Sequence, residues 1–213
     1  MTHFSTLLDL TCGKPLGEGD DGRARRMQIV ISALLTSLVF AAVWGVAAGS
    51  RLPALALANL YKVPMVVLLS AVGAVPAGLL TWKLAGAPGR ASDLLVAFAG
   101  GTFAGTLVLA VLSPLVALYD HSSLWAGPML GQGSAILALV VGAAIFARSI
   151  FGFGRARAQS RAGGSRVALA FPVAVLALVQ LAMLVQLIAL AAPILPERTL
   201  FSHGIDHLTD VAR

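Results

Sequence analysis

The chain has 213 residues, 58% of them apolar and only 11% charged, against about 25% charged in a soluble domain. That polar share cannot cover a water-facing surface. It excludes an ordinary soluble globular domain and makes lipid the expected solvent for the middle of the chain. The formal net charge of +6 does not signal nucleic acid: the basic residues sit in short segments between apolar runs, with only Phe151 and Phe153 near them as stacking aromatics.

Residues 1–26 read as a polar cytoplasmic segment. Phe4, Leu7 and Leu8 have the spacing of one helix face, which predicts a short amphipathic helix lying on the cytoplasmic leaflet. Cys12 is the single cysteine, so no intrachain disulfide forms. The first apolar run, 27–49, is too long and starts too late for a cleaved signal peptide and is read as a retained transmembrane helix.

The second run spans 61–84. Tyr61 is an interface anchor, and Lys62 can lay its stem along apolar surface and lift its ammonium to the headgroups at the outer rim. Pro64 is expected in the first helical turn, where a missing N–H costs little. Pro76 lies mid-span and predicts a kink. The third run covers 93–119, with Pro114 in its outer half and Asp120 just beyond. The fourth covers 124–147. A basic cytoplasmic loop, 148–166, follows, carrying Arg148, Arg155, Arg157, Arg161 and Arg166. The fifth run is 167–195, and 196–213 is an extracytoplasmic tail.

The expected fold is therefore all-α: a polytopic bundle of five transmembrane helices over 27–195. In hydrocarbon every backbone N–H and C=O must pair internally, and runs this long pair as helices. They lack the ten-residue alternation of an outer-membrane barrel. Eleven Lys and Arg fall on the side that holds the N-terminus and four on the other. This asymmetry predicts a cytoplasmic N-terminus and an outside C-terminus.

Gly45 and Gly49, Gly101 and Gly105, and Gly127 and Gly131 each form a GxxxG. In lipid this spacing lets helix backbones approach, within a bundle or at a dimer face. Chance also produces it in a chain with 22 glycines. Gln132, Gln180 and Gln186 fall inside spans, as interhelix hydrogen-bonding glue or as the lining of a polar path. No Asp, Glu, Lys, Arg or His is central in any run, which argues against a proton-coupled pump or an intramembrane enzyme.

Lys62 and Asp120 are expected at the outer rims of successive antiparallel helices. They either form an ion pair or stand as two independent rim charges. In the tail, His203, Asp206, His207 and Asp210 share one helical face and could hold a divalent metal. The competing reading is a solvated tail, which Gly204 favours. The 148–166 segment is read as a topology signal that meets anionic headgroups, or as a docking site for an acidic partner. No phosphate loop, catalytic triad or HExxH pattern occurs, and no cofactor is expected.

Lys62-Val63-Pro64 with Pro76 a dozen residues on, and Ser113-Pro114 in the third helix, resemble a pattern in small bacterial polytopic membrane proteins of unassigned function. The layout of a cytoplasmic N-terminus, five packed helices and a short far-side tail resembles the Yip-domain superfamily, without its Asp-Leu-Tyr-Gly-Pro-like signature. The resemblance implies a non-catalytic subunit, anchor or scaffold of the bacterial inner (cytoplasmic) membrane, with lipid, protein partners or further copies of itself as its contacts and no nucleic acid. The alternative is a small oligomeric channel or transporter with its path near Gln132, Gln180 and Gln186.

Overall fold

The computed structural model describes residues 2–11, 22–87, 90–123, 125–158 and 166–195. They form six helices and, among the described residues, no strand: α1 (Thr2–Thr11), α2 (Arg23–Ala48), α3 (Pro53–Leu84), α4 (Ala91–Ser122), α5 (Ala126–Ala158) and α6 (Arg166–Ala191). The five from α2 to α6 are long and apolar enough to cross a membrane. At about 1.5 Å per residue each exceeds the roughly 30 Å of a hydrocarbon core.

Three boundaries differ from the sequence expectation. The second span begins at Pro53 rather than at 61. Leu52 is extended ahead of it, proline is preset for the first helical position, and the following Ala-Leu-Ala-Leu-Ala run is strongly helix-forming. Pro64 is consequently internal, not in the first turn, and α3 continues through both Pro64 and Pro76. The fourth span extends to Ala158, so the first eleven residues of the expected 148–166 loop are helical. The Arg155-Ala156-Arg157-Ala158 stretch has high helix propensity. Residues 159–165 lie outside the described part. The last span stops at Ala191, ahead of Pro193, and Ile194 and Leu195 turn inward and are buried.

The end of α3 shows how the chain stops a helix on its own chemistry. Gly86 takes φ +58, a left-handed conformation that costs residues with a Cβ about 1–2 kcal/mol. Its amide donates to the Lys83 carbonyl at 3.2 Å, and the Ala87 amide donates to the Trp82 carbonyl at 3.2 Å. These are the paired bonds of a Schellman motif, and they satisfy two otherwise orphaned carbonyls.

Neighbouring contacts fix the helix directions. Gly45 faces Asn59 and Gly49 faces Ala56, so α2 and α3 are antiparallel; Gly101 faces Phe146 and Gly105 faces Ala138, so α4 and α5 are too. Gly73 against Met183 and Gly78 against Leu176 set α3 antiparallel to α6. By contrast α2 and α4 run parallel, with Arg26 beside Asp93 and Phe40 beside Phe103. The close packing order is α5–α4–α2–α3–α6, while α3 touches α4, and α5 touches α6, only lightly.

The starts of α2, α4 and α6 thus share one end of the bundle, here the near end. The core there joins Trp82, Leu94, Phe98, Phe146, Ile150 and Leu176, with the Phe98 and Phe146 rings edge to face at 5.8 Å. The far-end core gathers Trp44, Val63, Leu109 and Val116 around the returning Ile194 and Leu195. Helix α4 is the hub: 67% of its most apolar stretch is buried, against 17% for α5 and 11% for α6.

The α4–α5 contact is made backbone to backbone. A Cβ on Gly101 would lie 2.7 Å from the Gly142 carbonyl oxygen, and one on Gly142 would lie 2.9 Å from the Gly101 carbonyl oxygen. A Cβ on Gly105 would lie 2.8 Å from the Ala138 carbonyl oxygen. Neither atom can yield as a side-chain tip would, so the helices must separate to accept a larger residue. Gly101→Val or Gly105→Val is expected to destabilise the bundle by about 1–3 kcal/mol, read as a lower unfolding midpoint in detergent. Gly133→Val is the control, because nothing lies within 4 Å of a Cβ there.

Candidate functional site: polar ties at the two ends of the bundle

At the near end Arg26 of α2 forms an ion pair with Asp93 of α4. Both are buried. The Arg26 Nη1 donates to Asp93 Oδ1 and, at 3.1 Å, to Ser92 Oγ. The other carboxylate oxygen, Oδ2, accepts the Arg90 backbone amide at 3.1 Å. Asp93 sits in the first turn of α4, where the unpaired amides and the helix dipole favour a negative charge. Local sequence therefore fixes the carboxylate, and the parallel neighbour α2 supplies the guanidinium.

Helix α1 closes over this end. Leu7 is 2% exposed and packs with Ile29, Ala33, Val96, Ala99 and Phe103. Ile29 and Val96 are one turn inward of Arg26 and Asp93. The amphipathic helix expected over these residues is present, but its buried leucine lies against α2 and α4 rather than projecting freely toward a leaflet.

At the far end a second carboxylate does a similar job. Asp120, 3% exposed, lies at the last turn of α4. Its Oδ2 accepts the Arg51 backbone amide at 3.0 Å and the Ser50 hydroxyl at 3.4 Å. Gly127, opening α5, packs on it so closely that a Cβ would lie 2.5 Å from the Asp120 Cα. The candidate Lys62–Asp120 ion pair is not formed, and Lys62 has no ion-pair partner among the described residues. The premise that α3 and α4 are close neighbours is what fails. Helix α2 packs on both, and the turn that follows it reaches Asp120 first.

Two more polar ties cross the far-end core. Trp44 Nε1 donates to Ser134 Oγ at 2.9 Å, and that hydroxyl donates to the Gly131 carbonyl at 2.7 Å. Asn59, wholly buried, donates through Nδ2 to the Ile194 carbonyl at 2.7 Å, which holds the segment after α6 against α3. Residues such as Arg26, Asp93, Asn59, Trp44 and Ser134 were not singled out as a site from sequence. The detectable signal was a Ser-Asp pair opening a helix and an Arg at the mouth of another.

The remaining candidates are dispersed. Gly101 and Gly105 lie in the α4–α5 contact. Gln132 is half-buried on α5, and its Nε2 is buried without a partner. Gln180 is half-buried and Gln186 exposed on α6. Arg148 is exposed near the end of α5; Arg155 and Arg157 fall in its last turns, and Arg166 begins α6. Arg161 and the tail residues His203, Asp206, His207 and Asp210 lie outside the described residues. No family model, curated protein or solved structure matches the chain.

Two predictions follow from these ties. Removing one partner of the buried pair, as in Arg26→Ala or Asp93→Ala, leaves an uncompensated buried charge and is expected to cost about 3–5 kcal/mol. The Arg26→Leu/Asp93→Leu double variant should recover much of that loss. Unfolding titrations in mixed micelles on all the variants give the comparison. In the same assay Asp120→Ala is expected to cost about 1–3 kcal/mol, while Lys62→Ala should stay within about 0.5 kcal/mol of the parent.

Proposed function

We propose that the chain is a non-catalytic, multi-pass membrane subunit that anchors or organises protein partners at the bacterial inner membrane. Its near end faces the cytoplasm and its C-terminus lies outside. One observation carries this reading. The hub helix is packed backbone to backbone on α5, and apolar side chains of α3, α4, α5 and α6 meet in one core at the near end. Its buried ionic side chains are also spent on holding helices together rather than exposed to a substrate. What such a molecule offers is its outside: a basic near end and apolar flanks.

The orientation rests on the excess of Lys and Arg at the near end. Arg148 is exposed there, and with Arg155, Arg157, Arg161 and Arg166 it forms the cationic segment proposed to meet anionic headgroups or an acidic partner.

One observation favours a second reading, a small oligomeric channel. The Gln132 Nε2 donor is buried without a partner, and a polar permeant or water would satisfy it.

The two readings separate on purified material. The scaffold predicts partners that co-purify in mild detergent and are identified by mass spectrometry, with binding lowered by charge reversal at Arg155 and Arg157. It also predicts liposome permeability equal to that of empty vesicles. Flux of ions or small polar solutes that Gln132→Leu abolishes would instead establish the channel.

A further inference from the structure

Three glutamines of the spans, Gln132, Gln180 and Gln186, differ from Trp44, Asn59 and Ser134. Trp44, Asn59 and Ser134 are all engaged inside the chain. The Ser and Thr hydroxyls donate to carbonyls three or four residues back, as Thr36, Ser37 and Ser113 do. The amides of Gln180 and Gln186 have no hydrogen-bond partner among the described residues.

Gln186 is the sharpest case. It lies on the outward face of α6, among exposed Leu178, Ala182, Val185, Ala189 and Leu190. The helix ends five residues later at Ala191, about 7.5 Å away along the axis. A helical side chain leans toward the helix N-terminus. From this position the amide therefore leans toward the middle of the bundle and away from the nearer end. Within hydrocarbon it would meet neither donor nor acceptor.

We propose that the outward face of α6 around Gln186 is the contact with a second copy of this chain. The amide itself selects that occupant. A primary amide carries a donor and an acceptor, so two identical glutamines facing each other across a two-fold axis satisfy one another, and an isologous dimer places like against like. Ala182 and Ala189, one turn to either side, let the two helices come close enough for the bond. Helix α6 stands at the edge of the packing order and is the least buried span, so its partnering displaces nothing among the described residues.

The inference rests on the membrane setting of the proposed function, and the tests are ordered to keep the two apart. Alkaline carbonate should leave the protein in the membrane pellet; its release would overturn the membrane reading and this one with it. Cys12→Ser gives a background free of thiol, since Cys12 is the single cysteine. On it, Ala182→Cys and Ala189→Cys, on the same exposed face as Gln186, are expected to form disulfide-linked dimers on oxidation in membranes. Val39→Cys, on the exposed face of α2, should not.

Förster transfer between donor- and acceptor-labelled copies in liposomes measures the affinity. Gln186→Leu should weaken self-association by about threefold to thirtyfold, and Gln186→Asn should keep more of it than Gln186→Leu. Dilution-independent monomers in the pelleted protein, equal cross-linking at Val39→Cys, or unchanged affinity in Gln186→Leu would each overturn the dimer while leaving membrane insertion intact. Because Gln186 is exposed, its variants should fold as the parent does.

Discussion

The structure depends on how closely α4 and α5 approach. Two helices come into backbone contact only where neither presents a side chain, and Gly101, Gly105 and Gly142 make that place. For helices in a bilayer no hydrophobic driving force separates bound from unbound states, so there dense packing would have to hold the pair. Once α5 is seated, α4 is enclosed from two sides, since α2 lies along its other flank. The hub is therefore a consequence of missing side chains as much as of apolar ones.

Helix α2 is held on α4 by a different principle. The α4 helix carries one aspartate in its first turn and one in its last. Both are engaged by α2 or by the turn that follows it: Asp93 by Arg26, and Asp120 by Ser50 and the Arg51 amide. Two parallel helices joined at both ends cannot slide past one another without breaking a polar tie. Burial makes each tie expensive to break, because the group left behind is desolvated and unpaired. Between the ties the contact is apolar and sterically specific, as at Phe40 and Phe103. Polar ends set the register, and the apolar middle supplies adhesion.

Element number and type were legible because hydropathy over twenty residues is a strong, local signal. The six helices follow from it and from the spacing of Phe4, Leu7 and Leu8. Boundaries were less so. Pro53 and Pro64 both suit a helix start, and only the run of alanine and leucine between them favours the earlier one. Adjacency was not legible. A short connection between α3 and α4 suggested direct neighbours, yet the chain inserts α2 between them, and the candidate Lys62–Asp120 pair does not form. Whether a GxxxG faces another helix or lipid is likewise a tertiary fact, absent from the spacing. Arg26 and Asp93 each had a sufficient local explanation, one as a topology charge and the other as a helix-opening carboxylate. Nothing in either explanation points to the other residue, 67 positions away.

The distribution of polar satisfaction divides the molecule in two. Along α2 and α4 the Asp93 carboxylate is bonded to the Arg26 guanidinium and that of Asp120 to the turn after α2, and most hydroxyls return to their own helix. On α5 and α6 the amides of Gln132, Gln180 and Gln186 remain, on helices of which less than a fifth of the apolar stretch is buried. Helix α3 mediates, with Asn59 giving its amide to the segment after α6 while its Oδ1 stays unpaired. A chain optimised only for its own fold would place leucine at those amide positions, since each lone amide in hydrocarbon is a cost without return. On the two least buried helices they make that side of the bundle a place where a contact outside the chain restores the balance.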